Sequence, residues 1–285
     1  MTTPGAADEI PTGTLMQGKH GLVMGVANSR SIAWGIANPS AGDHARSWFC
    51  SDRSRPDPAC VDWVGLVCSC MNSPTSRSNG VSSMKLYFAP GACSLSPHIV
   101  LIEAGLPFDK VKADTKTKAM DGGGDYKTVN PLGYVPALKL DDGTILTEGP
   151  AIVQFIADKV PDKKLAPANG TLERTRLQSW LNFVSTELHK GFSPLFNPSM
   201  PEEAKKIFRE RLAARFAHLD KHLASNDYLM GRSFSVADAY LFVVSNWAPR
   251  LDVDLSPYPN VLAYRKRIGS RPAVQAAMKD EGLIK

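Results

Sequence analysis

The sequence predicts an α/β domain with a four-stranded sheet followed by an all-α domain, both behind an extension of 83 residues. Three observations carry this reading. Apolar residues change from strand-like to helix-like spacing near residue 160. A segment with two prolines and Asn169-Gly170 separates the two regimes over 161–171. Cysteine and net charge both divide the chain at Met84: Cys50, Cys60, Cys68 and Cys70 precede it, only Cys93 follows it, and the whole formal charge of +5 lies beyond it. A chain of 285 residues is long enough for two domains at about 100–200 residues each. Its 43% hydrophobic and 21% charged residues are globular composition and argue against wholesale disorder or a fibrous repeat. No apolar run approaches the ~20 residues of a membrane helix, and no basic run marks a nucleic-acid surface. Neither partner is expected.

Within the extension, Gly18–Ala37 reads as an apolar strand at Leu22–Met24, a glycine turn at Gly25 and the start of a helix at Ser31–Ala37. Asn38-Pro39 then breaks that helix. One βα unit cannot bury its own apolar face or build a dinucleotide site, so no NAD is expected. Residues 38–83 show no sustained period. The cysteine spacings of ten, eight and two lack paired Cys-x-x-Cys knuckles, which leaves no metal site. The expectation is a disordered extension with a truncated fragment in it. The start of the chain lacks a cationic segment followed by an apolar core, so it does not read as a secretory signal, and a cytoplasmic location is expected.

From Met84 the patterns agree with one another. Met84–Ala89 is a short apolar strand closed by Pro90-Gly91. Ser94–Ala104 is a helix with Pro97 in its first turn and Gly105 and Pro107 as stop signals. Lys110–Ala113 is a second strand, and Gly122–Gly124 leaves the chain irregular up to Asn130. Ala137–Leu140 and Ile145–Thr147 flank Asp-Asp-Gly at 141–143 as a hairpin, and Glu148–Val160 is a helix. Residues 84–160 thus form one domain and 172–285 the other. In the second, Leu177, Trp180, Leu181, Val184 and Leu188 make one apolar stripe, and Phe208, Leu212, Phe216, Leu219 and Leu223 another. Ser235–Asp238 is a capping box with aspartate in place of glutamate, opening a helix whose Val236, Tyr240, Val243, Val244 and Trp247 are expected to be buried. Helices near Asn260–Ile268 and Pro272–Lys279 complete it.

Four places carry candidate chemistry. Cys93, between the first strand and first helix, is either a small buried apolar residue or a thiol whose thiolate the helix N-terminus favours. Val135-Pro136 precedes a strand; a cis bond there leaves the Val135 main chain free for an extended ligand, whereas a trans bond makes an ordinary turn. Glu148-Gly149 opens a helix, either as a plain N-cap or as a grip on the ammonium and carboxylate of an amino-acid end. Asn182, Ser185 or Thr186, and His189 recur on one helical stripe, structural or functional, that can line a cleft.

The blocks MKLYFAPGACSLSPHIVL, NPLGYVPAL, LTEGPAI, LNFVSTELHKGF and FSVADAYLF, in order and spacing over Met84–Lys285, resemble bacterial beta-class glutathione transferases. Gly18–Ala37 resembles the opening of bacterial enoyl-acyl carrier protein reductases, without that family's tyrosine–lysine pattern downstream. The first resemblance implies a thioredoxin-like N-terminal domain, an all-helical C-terminal domain, a homodimer, and glutathione held as co-substrate, with no metal. By position it implies Cys93 next to the glutathione sulfur, His189 and Lys190 approaching from the helical domain, and Val135 before cis-Pro136 pairing with the cysteinyl unit. It further implies Glu148 and Gly149 at the γ-glutamyl end and Lys118 near the glycyl carboxylate. Asn182 and Thr186 would reach the ligand, across the dimer interface if not within one chain. Residues 115–124 depart from the family pattern, which makes Lys118 the weakest of these assignments.

The function so implied is conjugation of glutathione to small hydrophobic electrophiles. Hydrogen bonds and positive charge would lower the pKa of its thiol, and the cleft would hold nucleophile and electrophile together. A mixed disulfide at Cys93 would add thiol-transferase or peroxidase chemistry. The alternatives are a ligand-binding or stress-response protein on the same fold and, from Gly18–Ala37, a reductase fusion.

Overall fold

The computed structural model describes residues 22–28, 31–36 and 84–285. The chain divides into two units, 1–78 and 79–285. In the first, strands β1 (Leu22–Asn28) and β2 (Ser31–Ile36) form an antiparallel hairpin, with Leu22 opposite Ile36, Met24 opposite Trp34 and Val26 opposite Ile32. This corrects the strand–turn–helix expectation for Gly18–Ala37. Ile32, Trp34 and Ile36 alternate in sequence with Ser31, Ala33 and Gly35, a period of two, and stand in register with Val26, Met24 and Leu22. No turn-to-helix junction of the kind that receives a pyrophosphate occurs at Ser31–Ile36. The expected disorder of 1–83 and the cluster Cys50, Cys60, Cys68 and Cys70 lie outside the described residues.

The second unit begins with β3 (Met84–Phe88), α1 (Leu95–Ala104) and β4 (Phe108–Lys112), a right-sized crossover that sets β4 parallel to β3. Gly105 ends α1 at φ +68°, a conformation that glycine adopts without a Cβ penalty. β5 (Ala137–Lys139) pairs antiparallel with β3 and with β6 (Ile145–Thr147), giving the strand order β4-β3-β5-β6. Strand alternation gives this sheet two cores. Leu86 and Leu138 face Ile99, Leu101, Ile152 and Ile156 on the helical side. Tyr87 and Ala137 pack with Tyr126, Ala113 and Val135 on the other. α2 (Gly149–Lys159) follows β6 directly and packs on α1.

The helical domain holds α3 (Leu172–Phe183), a π-helical turn at Val184–His189, and the single turn α4 (Lys190–Phe192). After these come α5 (Glu202–Leu223), α6 (Val236–Ser245), α7 (Pro259–Gly269) and α8 (Pro272–Asp280). Both apolar stripes point inward: Leu177, Leu181, Val184 and Leu188 are buried with Leu212, Phe216, Leu219 and Leu223, while Trp180 and Phe208 sit at the margin. At the start of α6 the fully buried Asp238 accepts from the N–H and hydroxyl of Ser235, both at 2.8 Å, so aspartate does serve at the third position of the box. α1 also packs on α6 and α8, joining the domains through one continuous core. Polar forks fix the join. Arg174 donates to both Asp158 oxygens at 2.9 and 2.6 Å, and Arg271 to both Glu103 oxygens at 2.7 and 3.0 Å.

Candidate active site

Where the two domains meet, a cleft of about 630 Å³ is lined by the loop after β3, by the Asn130–Pro136 loop, by the start of α2, and by the π-turn and α6 region of the helical domain. The first loop is the most constrained. Ser94, fully buried, accepts from the Ala89 N–H at 3.1 Å and donates to the Ala89 carbonyl at 3.2 Å, so the chain closes on itself before α1 begins. From the helical side, Glu281 accepts from the Gly91 N–H at 2.9 Å and Trp247 Nε1 donates to the Gly91 carbonyl at 2.9 Å. Glu281 is itself held at 2.8 Å by Nδ1 of the buried His98. Cys93 is thereby presented to the cleft at a fixed height.

Of the two readings of Cys93, burial favours the neutral thiol over the thiolate. The Cys93 thiol donates to the Val135 carbonyl at 3.1 Å, and burial pushes its pKa up to about 12. The main-chain N–H groups of Cys93 and Ser94 pull downward, as a helix start should, but burial outweighs them and the Glu148 carboxylate adds to the upward push. At neutral pH Cys93 is a protonated donor. The same contact takes up one of the two lone pairs of the Val135 carbonyl.

The Val135–Pro136 bond is cis. Asn130 Nδ2 and the Tyr126 hydroxyl both donate to the Tyr134 carbonyl, at 2.7 and 2.8 Å, which anchors the loop ahead of that bond. The sheet ladder starts only at Ala137, so Val135 meets the cleft with its main chain. Glu148 stands at φ +67°, where a non-glycine residue persists only if its surroundings hold it. Its carbonyl starts α2 by accepting from Ala151 and Ile152, both at 3.0 Å, and its side chain makes no cap bond. Glu148 is therefore not a plain N-cap; with Gly149 it lines the cleft.

From the other side comes His189, with Nδ1 2.6 Å from the Tyr240 hydroxyl and its ring edge-on to Trp247 at 4.9 Å between centroids. Burial first, and the Lys190 charge second, bring its pKa down to about 4, so the imidazole is neutral at pH 7. Burial also raises Tyr240 above the usual phenol range, keeping its proton. When Tyr240 donates to Nδ1, the neutral ring carries its own proton on Nε2 and offers a donor there.

Seven predicted residues thus converge: Cys93, Val135, Pro136, Glu148, Gly149, His189 and Lys190. Three do not line the cleft. Lys118 Nζ is taken by the Thr115 and Gly133 carbonyls, the latter at 2.9 Å. Thr186 donates to the Asn182 carbonyl at 2.9 Å, and both residues are exposed. The expected stripe carries Asn182, either Ser185 or Thr186, and His189 on one face. Of these, Ser185 and His189 line the cleft, and they lie within the π-helical turn Val184–His189. Sequence reasoning missed Tyr240 and Trp247 as lining residues, because their helical spacing read only as core. It also missed the Glu281–His98 pair, whose partners are 183 residues apart.

Comparisons with known proteins agree with this geometry. The families described as "Glutathione S-transferase, N-terminal domain" and "Glutathione S-transferase, C-terminal domain" match residues 91–159 and 183–272. Glutathione S-transferase GstA of Escherichia coli O157:H7 is 46% identical over 200 residues, covering 70% of this chain and all of that one. Glutathione S-transferase GST-4.5 of Xanthomonas campestris is 37% identical over 207 residues, with 70% and 100% covered. Among solved structures, a ternary complex of the bacterial transferase BphK superposes with a TM-score of 0.69 at 56% identity, covering 70% of this chain and 99% of its own. A sphingomonad glutathione S-transferase complexed with glutathione gives 0.68 at 50% identity, with 70% and 100% covered. The relatives named here are transferases, and none of them supports the reductase likeness of Gly18–Ala37. Two domains of the right kind, joined at a cleft with these residues, have their counterparts in proteins of one name, and the chain belongs to the glutathione S-transferase family.

Proposed function

We propose that this protein joins reduced glutathione to small hydrophobic electrophiles, as a cytoplasmic homodimer of the beta class. The observation that carries the reading is the convergence of Cys93, Val135, Glu148, Gly149, His189 and Lys190 on one cleft between an α/β and a helical domain. Glu148 would pair with the γ-glutamyl ammonium, while the N–H groups at the start of α2 receive its carboxylate. The Val135 main chain would meet the cysteinyl unit. The Cys93 thiol, turned from the Val135 carbonyl, and His189 Nε2 would donate to the glutathione sulfur, and Lys190 would add positive charge. Together these favour its thiolate, which attacks the electrophile while the leaving group departs with its bonding pair. The exposed Leu132 and Tyr134 beside the cleft are consistent with a dimer face, from which the partner's copy of Lys118, Asn182 or Thr186 could act.

Thiol-transferase or peroxidase chemistry at Cys93 is the secondary activity, since it needs a thiolate that burial opposes. The domain division is 84–160, linker 161–171 and 172–285, with 1–83 not required for glutathione binding. Titration calorimetry of glutathione against the full chain and against a chain beginning at Met84 tests both points. Equal affinities are expected; loss of binding on truncation would overturn the division, and no binding by either would overturn the function. Conjugation of 1-chloro-2,4-dinitrobenzene, followed by absorbance, should survive Cys93→Ala with reduced rate. Full retention of disulfide reduction in that variant would remove Cys93 from the redox role.

A further inference from the structure

The residues lining the cleft fall into two unlike groups. One, built on Cys93, Val135, Glu148 and Gly149, is accounted for by the function proposed above, on which this inference rests. The other is made by Pro90–Ala92 with Ser193, Phe196, Trp247 and Arg250. Phe196 is 51% exposed and stands edge-on to Trp247 at 5.4 Å between centroids, an aromatic wall open to water. An exposed phenylalanine on a cleft wall is a contact surface for a flat apolar group.

At the end of that wall is a cation. Arg250 lies in the 3₁₀ turn Ala248–Leu251, which Trp247 opens, so wall and charge are fixed to one another by three residues of chain. Its Nη1 reaches over Gly91, 3.9 Å from where a Cβ would stand on that glycine. Among the described residues its guanidinium has no hydrogen-bond or ion-pair partner. The acid nearest in sequence, Asp252, is instead 3.7 Å from Arg209. Of the other charged residues lining the cleft, Glu148 belongs with the first group and Lys190 accompanies His189. A guanidinium lining the same cleft as Phe196 and Trp247, with its donors unused, matches a carboxylate carried on an aromatic ring.

We propose that Arg250 is a specificity-determining residue that selects aromatic electrophiles bearing a carboxylate, holding the anion at the cleft mouth while the ring lies on Phe196 and Trp247. A substrate of this class is 4-chloro-3-nitrobenzoate. The glutathione sulfur bonds to the ring carbon that carries chlorine, chloride leaves with the C–Cl electron pair, and the thiol proton passes to solvent. Neither an oxidant nor a reductant is required.

The test compares 4-chloro-3-nitrobenzoate with the neutral 4-chloro-3-nitrobenzamide, nearly the same in shape. Exposed ion pairs contribute modestly, so the ratio of kcat/KM for acid over amide should fall about fivefold in Arg250→Gln, chiefly through KM. Raising the salt concentration should erode the wild-type preference in the same direction. Calorimetric binding of the two conjugate products supplies an arm independent of turnover, and there too the wild-type preference for the carboxylate should shrink in Arg250→Gln. An unchanged ratio in the variant, in both kinetics and binding, would overturn the assignment. Should neither electrophile react, the transferase reading falls, and the product-binding arm still decides Arg250.

Discussion

Thiol–disulfide exchange at Cys93 measures how far burial outweighs the helix start. An ordinary cysteine, with pKa about 8.5, is roughly 10% thiolate at pH 7.5. With the Cys93 pKa at about 12, the thiolate fraction falls about three thousandfold. A thiolate of higher pKa is intrinsically more nucleophilic, and with a Brønsted coefficient of about 0.45 that returns roughly fortyfold. The net expectation is exchange on the order of a hundredfold slower than an unhindered thiol. The assay is reaction with a small disulfide such as 2-hydroxyethyl disulfide in the absence of glutathione. The Cys93 peptide is followed by mass spectrometry, because four other cysteines are present. The rate should climb about tenfold per pH unit through pH 10 without levelling. Glu148→Gln should accelerate it, since the carboxylate is one of the groups holding the thiol up. A profile that levels near pH 8.5, or exchange at the rate of an ordinary thiol, would refute the ordering of burial over helix start.

Three further outcomes are expected. The His189 pKa is about 4 in the folded chain against about 6.5 unfolded, so its contribution is complete above pH 6.5 and lost as pH falls towards 4; it is worth about 3 kcal/mol. Urea titrations of wild type and His189→Gln across that range should converge as the pH drops. Asp238→Ala removes a fully buried carboxylate that also accepts from Leu229 N–H at 2.8 Å and the Tyr264 hydroxyl at 3.1 Å. The orphaned donors should cost about 3–5 kcal/mol by denaturant unfolding. Trp247→Phe keeps the wall but loses the bond to the Gly91 carbonyl. Glutathione should bind about three- to tenfold more weakly by calorimetry, at one lost hydrogen bond of about 1 kcal/mol.

Most of the fold was legible because its signals are local. The stop at Gly105, the Asp-Asp-Gly hairpin, the box at Ser235–Asp238 and the two leucine- and phenylalanine-rich stripes each specify a neighbour's geometry within a few residues. The site was legible where it sits at such a signal, as Cys93 and Glu148 do at helix starts. It was illegible where the determining partner is distant or the local period changes. No spacing rule announces the π-turn at Val184–His189, and a helical wheel drawn through it leaves Ser185 and Thr186 undecided, of which only Ser185 lines the cleft. Ser31–Ile36 failed differently. Six residues are too few to separate a period of two from 3.6 when every second residue is small.

The charge state of the cleft bears on which chemistry the proposed function favours. Cys93, His189 and Tyr240 in the cleft are all held neutral by burial, while Glu148, Lys190 and Arg250 also line it. A neutral thiol and a neutral imidazole are hydrogen-bond donors, suited to stabilising a thiolate on the ligand. They are poorly suited to supplying one, which ranks conjugation above disulfide exchange. The ranking depends on Glu148. A ligand ammonium paired with that carboxylate would cancel part of the push on Cys93, so glutathione itself should make Cys93 more acidic than it is in the free protein. The cysteine that attacks a disulfide slowly when alone would then do so faster with the γ-glutamyl end in place. A glutathione analogue lacking the sulfur but keeping the ammonium should accelerate exchange at Cys93 in the wild type and leave Glu148→Gln unmoved. Protection in both proteins would show that steric cover, not charge, governs the thiol.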